Sequence, residues 1–415
     1  MKIKNVVFAP GLASYYFDDQ AAIKQGAKQD GFVYCGQALT DGFARVRQYG
    51  ESVSILLELE NGQIAEGDCA AVQYSGAAGR DPLFLTSSVI PFLQEHLTPQ
   101  LIGHDVRSFR ESAEFFDALI VDGQPLHTAV RYGLSQALLS AASIAKGKMK
   151  FEVICDEWGL EPIAAPLRLF GQSGDNRYEA VDKMVLKQVD ALPHGLINNI
   201  PQKLGQTGGK LAEYVTWLSR RIQDLRTVES YHPVLHIDVY GTVGMIFDND
   251  AVKIANYLAT LEQRAAPFDL YIEGPADAGS KDWQITLLRD IRASLRALGS
   301  NVKIVADEWC NTYQDVVDFV DADCCDMVQI KTPDLGSLHN TVDAVLYCKA
   351  NGVAAYQGGT CNETDISARA CLHAAMATRP DRVLVKPGMG FDEGMTIVAN
   401  EMHRTLALLN TRAAA

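Results

Sequence analysis

Residues 236–241 read HIDVYG, 271–275 YIEGP, 305–311 VADEWCN and 328–334 VQIKTPD. Each is a short apolar run that ends on an ionisable residue: Asp238, Glu273, Asp307 and Lys331 in turn. The four lie about one βα unit apart. Around them, apolar runs at 167–170, 184–186, 234–239, 270–272, 302–306, 327–330, 353–356 and 383–385 predict eight strands. The segments between carry helical stripes. Ile254, Leu258 and Leu261 form one, and Leu288, Ile291, Leu295 and Leu298 another. Asp248 or Asn249 is expected to cap the first, and Gly352 follows a third stripe as a C′ glycine. Eight strand–helix units in about 250 residues predict a (β/α)₈ TIM-type barrel.

Upstream the order differs. Residues 52–60 (SVSILLELE), the Asn61-Gly62 dipeptide and QIAEGDCAA from Gln63 suggest an antiparallel hairpin. Helical patterns follow at 109–118 and 128–145. Strands first and helices second predict an α+β domain, and Pro162 and Pro166 break the pattern. The expected division is an N-terminal α+β domain at 1–160 and a barrel at 161–415.

The 415-residue chain is 47% hydrophobic and 21% charged, as folded globular proteins are. Its 37 Lys+Arg against 51 Asp+Glu give a net charge of −14, which argues against a nucleic-acid partner. The nine cysteines contain no CxxC pair and are expected to be reduced thiols in a cytoplasmic protein. No apolar run reaches the ~18 residues of a membrane span, and the first twenty residues lack a signal-peptide core.

Reactive groups of such barrels sit at the carboxyl ends of the strands. Three neighbouring acids there repel one another unless a hard cation neutralises them, and Mg²⁺ suits an all-oxygen set. The competing reading is that Asp238, Glu273 and Asp307 merely cap the helices that follow. Lys331 is expected to be buried, with burial and a nearby metal favouring its neutral, basic form; otherwise it is a surface lysine. Gln329 shares its face and is a candidate donor to a carboxylate. Gly358-Gly359-Thr360-Cys361, ahead of a helix, offers backbone N–H groups to an anion. His194 in DALPHGLI is a candidate acid, base or carboxylate donor, or a structural histidine. The 386–394 loop, KPGMGFDEG, lacks dinucleotide-fingerprint spacing, with phosphate binding as its alternative. GQTGGKL at 205–211 is no P-loop, because neither Ser nor Thr follows Lys210.

These motifs, with GGTCNET, KPGMGFDEGM, DCAAVQYSGA and GRDPLFL, closely resemble the 3-methylaspartate ammonia-lyases of the enolase superfamily. The resemblance runs from Phe17 to the last helix. It implies an α+β capping domain over a modified (β/α)₈ barrel, a Mg²⁺ site and a homodimer. It makes Asp238, Glu273 and Asp307 the metal ligands, and Lys331 the base that takes the C3 proton of (2S,3S)-3-methylaspartate on the way to mesaconate. His194 then contacts the substrate carboxylate and serves the (3R) epimer. Gln73, Gln172, Gln329, Thr360 and Cys361 hold the substrate, while Phe170, Tyr356 and Leu384 line its pocket. The resemblance implies glutamate fermentation as the setting, with a monovalent cation such as K⁺ an open addition. The alternatives are another lyase, racemase or cycloisomerase of the superfamily, or a catalytically silent carboxylate binder.

Overall fold

The computed structural model describes residues 1–76, 80–163, 165–386, 388 and 390–413. Val234–Asp238, Leu270–Glu273, Lys303–Ala306, Met327–Ile330, Ala354–Gln357, Arg382–Leu384, Leu169–Phe170 and Ala191–His194 pair in that order as a closed parallel barrel. A helix follows every strand, from Arg177–Leu186 after the first in sequence to Phe391–Ala413 after the last. Register places His236 opposite Tyr271 and Asp238 opposite Glu273, so the two acids stand side by side at one end. Ile254, Leu258 and Leu261 are buried on one face of Ala251–Ala265. Leu288, Ile291 and Leu295 do the same on Lys281–Ala297. Each buried aliphatic side chain of this kind contributes roughly 1.5–3 kcal/mol.

The N-terminal cap is a three-stranded antiparallel sheet with Arg47–Leu59 central between Ile3–Asp18 and Ile64–Cys69. Val53, Ile55, Leu57 and Leu59 point into its core, alternating with half-buried neighbours. Gly62 turns the hairpin with φ +81°, and Leu59 N–H donates to the Gln63 carbonyl at 2.9 Å. The helix Thr128–Lys146 lies across this sheet so closely that a Cβ on Gly133 would sit 2.6 Å from Cys69 N and 2.8 Å from the Asp68 carbonyl carbon. Backbone cannot yield as a flexible side chain does. Gly133→Ala is therefore expected to lower stability by about 1–3 kcal/mol, the cost of an overpacked core, as measured by urea denaturation.

Three sequence expectations are corrected, and one strand was missed. Residues 184–186 are not the second strand but the last turn of Arg177–Leu186, where Met184 and Val185 bury with Ala180 and Val181. Three apolar residues in a row fit either assignment. The strand is Ala191–His194, which contains Pro193, a residue without the N–H that a central strand uses in its ladder. The cap of Ala251–Ala265 is Asp250, whose side chain accepts from Val252 and Lys253 N–H, while Asp248 and Asn249 are left-handed turn residues. Leu298 lies past its helix and is half exposed. The long strand Ile3–Asp18 was not foreseen: Pro10 and Gly11 interrupt its pattern and most of its side chains are exposed or only half buried. Gly352, with φ +71°, does follow the C-cap Asn351.

Candidate active site

Between cap and barrel lies a cavity of about 160 Å³, lined by Gln73, Tyr74 and Arg80 from the cap and by strand-end residues of the barrel. That volume is small for a ligand pocket and restricts the occupant to a small molecule. Asp238, Glu273, Asp307 and Lys331 are all buried at this end. His194 lies on the second strand itself, four places from Lys331's strand in an eight-strand ring, and so directly across the barrel. His194, Tyr240 and Trp309 have φ of +63°, +50° and +65°. Left-handed residues other than glycine cost energy and cluster where function requires a particular side-chain direction.

One ligand atom each from His194, Asp238 and Glu273 lies within 4.8 Å of the others. His194 Nε2 is 3.7 Å from Asp238 Oδ2. Burial holds the carboxyls of Asp238, Glu273 and Asp307 above the usual range, and Asp307's charge pushes the first two higher. Glu273 is engaged at both oxygens: Tyr356 Oη donates to Oε1 at 2.6 Å, and His236 Nε2 lies 2.7 Å from Oε2. Burial draws His194 down to about 4, so its ring is neutral near pH 7. His236 is held well below its ordinary value by burial and by Arg382.

Lys331 is buried among acids. Its Nζ is 2.9 Å from Asp307 Oδ1, 3.1 Å from Asn311 Oδ1 and 3.6 Å from Glu308 Oε2. Burial works against the ammonium, yet Asp307 and Glu308 outweigh it and raise the pKa. The acids at the rim, absent from a count of burial alone, decide the sign.

Of the residues expected to hold substrate, Gln73, Gln172, Gln329, Thr360, Cys361 and Leu384 all line the cavity. Gln73 Nε2 donates to Asp18 at 2.7 Å, Gln172 Nε2 to the Gly388 carbonyl at 2.6 Å, and Gln329 Nε2 to Tyr356 Oη at 2.5 Å. Phe170 and Tyr356 are fully buried, level in register with the cavity-lining Leu384 and Gln329, and pack with Ala191, Val305 and Met327. The 358–361 loop does not open its helix directly, since Thr364 caps Asp365–Thr378. In the 386–394 loop, Lys386 turns inward to Thr332 Oγ1 at 2.7 Å and Glu363 at 3.2 Å, which speaks against phosphate holding. Pro387 and Met389 of that loop lie outside the described residues.

Several lining residues were not anticipated. Arg80, inside the GRDPLFL stretch, ties the cap to the barrel through Asp334 at 3.1 Å and Glu308 at 3.6 Å. Glu308 adjoins Asp307 and was within reach of a closer reading of DEW. Tyr74 and Tyr240 also face the cavity. His236 was detectable as the residue two before Asp238 on the same strand face.

A capped, closed (β/α)₈ barrel with acids ending strands three, four and five and a lysine ending strand six has the architecture of the enolase superfamily. Muconate lactonizing enzyme from Pseudomonas fluorescens shares that fold at 16% identity, with a TM-score of 0.61 over 90% of this chain and 84% of its own. Models of the methylaspartate ammonia-lyase N-terminus and C-terminus match residues 1–159 and 161–411. The Citrobacter amalonaticus methylaspartate ammonia-lyase is 64% identical over 99% of this chain and 100% of its own length. Its crystal structure containing (2S,3S)-3-methylaspartic acid superposes with a TM-score of 0.98, covering 99% of this chain and 100% of that one. The Mg complex of β-methylaspartase from Clostridium tetanomorphum gives 0.95 at 53% identity, with 99% and 100% covered. The chain belongs to the methylaspartate ammonia-lyase family.

Proposed function

We propose that the protein eliminates ammonia reversibly from (2S,3S)-3-methylaspartate to form mesaconate, with Lys331 as the base. The observation that carries this reading is the placement of Lys331 and His194 across the barrel from each other, flanking Asp238, Glu273 and Asp307, in a chain so similar to the Citrobacter enzyme. The C3 hydrogen lies α to a carboxylate. A cation held by Asp307 would offset the charge that keeps Lys331 protonated, and in its neutral form Lys331 Nζ takes that proton; the C3–H electron pair becomes the C2=C3 bond, and the C2–N bond breaks as ammonia leaves. Gln73, Gln172, Gln329, Thr360 and Cys361 hold the two carboxylates against the rim, and Leu384 packs against the methyl group. In the proposed pocket Phe170 and Tyr356 act as the buried neighbours that back Leu384 and Gln329.

Asp238, Glu273 and Asp307 fit Mg²⁺, because three buried, mutually repelling carboxylates offer a hard cation oxygen ligands and the charge balance they lack. When bound, Mg²⁺ supplies Lewis-acid stabilisation of the negative charge that grows on the carboxylate beside C3. A set of His194, Asp238 and Glu273 would suit a softer metal better.

The remaining parts of the proposal are a domain boundary at 160/161, a homodimer, a monovalent cation such as K⁺, a cytoplasmic location and a place in glutamate degradation. The boundary falls between the helix Lys150–Trp158 and the first barrel strand. Exposed Tyr16, Phe32, Val33 and Tyr49 beside a groove on the cap support self-association, which sedimentation tests. All nine cysteines are free thiols, and no helix among the described residues is long and apolar enough to cross a membrane. The K⁺ and pathway assignments rest on the family resemblance.

The activity is tested by incubating the protein with threo-3-methylaspartate and Mg²⁺: one ammonia is expected per conjugated diacid formed. Isomerised substrate without ammonia would identify a racemase or cycloisomerase instead. Iodoacetamide at neutral pH is expected to label exposed Cys35 first, as burial pushes the Cys361 thiol up to about 12. Substrate with Mg²⁺ should slow Cys361 further, followed by peptide mapping.

A further inference from the structure

We propose that His236 and Arg382 are positioning residues for the cation site, fixing Glu273 so that each of its oxygens receives one hydrogen from the protein and turns its remaining lone pairs to the rim. The inference rests on the assignment of Glu273 to Mg²⁺ above and extends it to residues that touch neither the cavity nor the substrate.

The direction of the hydrogen bonds follows from which groups can only donate. Arg382 Nη1 lies 3.2 Å from His236 Nδ1, and a guanidinium has no acceptor, so Nδ1 carries the lone pair. The ring hydrogen is then on Nε2, 2.7 Å from Glu273 Oε2. From the other side, the Gln329 amide nitrogen donates to Tyr356 Oη, which leaves the tyrosine's own hydrogen for Glu273 Oε1 at 2.6 Å. Two chains that start on donor-only groups thus end on one carboxylate.

The supports are rigid and dry. Phe170 stacks on the His236 ring at 4.4 Å and 20°, and Tyr356 meets it edge-on at 5.0 Å. His236 and Glu273 are both 0% exposed, so water cannot replace either partner. Arg382 begins the eighth strand, lies over the Tyr271 ring at 4.4 Å and forms no ion pair among the described residues. A buried guanidinium without a carboxylate costs stability. Its guanidinium reaches the histidine behind the proposed metal ligand, and outer partners of this kind orient ligands and tune affinity.

The test is Mn²⁺ binding, followed by electron paramagnetic resonance without substrate, with unfolding temperature measured alongside. His236→Phe keeps the aromatic stack and removes the donor. It is expected to bind Mn²⁺ ~10–100-fold more weakly while still unfolding cooperatively. Arg382→Met should weaken binding by less, and Arg382→Lys, which can still donate to Nδ1, should restore it. Wild-type affinity in His236→Phe, alongside lost affinity in Glu273→Gln, would overturn the inference and leave the metal assignment standing. Wild-type affinity in Glu273→Gln would overturn the assignment itself. Should His236→Phe fail to fold, the arginine pair decides: Arg382→Lys no better than Arg382→Met overturns the proposal.

Discussion

Asp238→Ala, Glu273→Ala and Asp307→Ala are each expected to abolish measurable turnover. Each removes one of the buried carboxylates proposed to hold Mg²⁺, whose stabilisation of transition-state charge amounts to several kcal/mol. A loss of about 4 kcal/mol already corresponds to roughly 10³-fold in rate. The fold should survive, because the side chains lie at the barrel's end, where burial disfavours each charge and the like charges repel one another. In Asp238→Asn the repulsion is relieved, so its unfolding temperature in chelator should equal or exceed that of the wild type while turnover falls. Glu273 differs, since its removal also strands the hydrogens of Tyr356 and His236. Glu273→Ala should therefore be the least stable of the three. Rates with saturating Mg²⁺ and unfolding curves in chelator check both parts, and exhaustive chelation of the wild type should reproduce the loss of rate.

The second large effect separates the two candidate bases. Lys331→Ala is expected to lose ~10²–10⁴-fold on the (2S,3S) isomer, the usual contribution of a positioned general base. His194→Ala is expected to lose activity chiefly on the (3R) epimer and so become more diastereoselective. The physical reason is the ring: strands six and two are four apart, and groups on them approach a ligand at the rim from opposite sides. Initial rates of diacid formation from each isomer, with each variant, measure it. A rise in KM with unchanged kcat would instead mark a binding role.

The barrel and its rim were legible because each of three consecutive βα units ends its apolar run on an acid and the fourth on a lysine. That pattern survives in a linear reading. The second strand was not legible, since ALPH carries one small residue and a proline, while the apolar triplet in the helix before it imitates a strand. Nor were the acids beside Lys331: burial is readable from an uncharged run, but the 2.9 Å approach of Asp307 depends on two strands meeting. Phe170 and Tyr356, expected at the pocket wall, are level with the cavity-lining Leu384 and Gln329 but fully buried, because strand position gives the height and not which side chains cover one another. Arg382 had no local signal at all. Its partner His236 belongs to a strand far away in sequence, and only barrel closure brings them together.

The central claim, that Lys331 and His194 serve opposite faces of C3, is tested most directly in the reverse direction. Mesaconate and ammonia are incubated with wild type, Lys331→Ala and His194→Ala in D₂O with Mg²⁺, and the deuterated 3-methylaspartate epimers are resolved by NMR. The account predicts (2S,3S) product with deuterium at C3 as the main product of the wild type and the only product of His194→Ala. The residual product of Lys331→Ala should be enriched in the (3R) epimer. The same epimer ratio in all three proteins would contradict the two-face account.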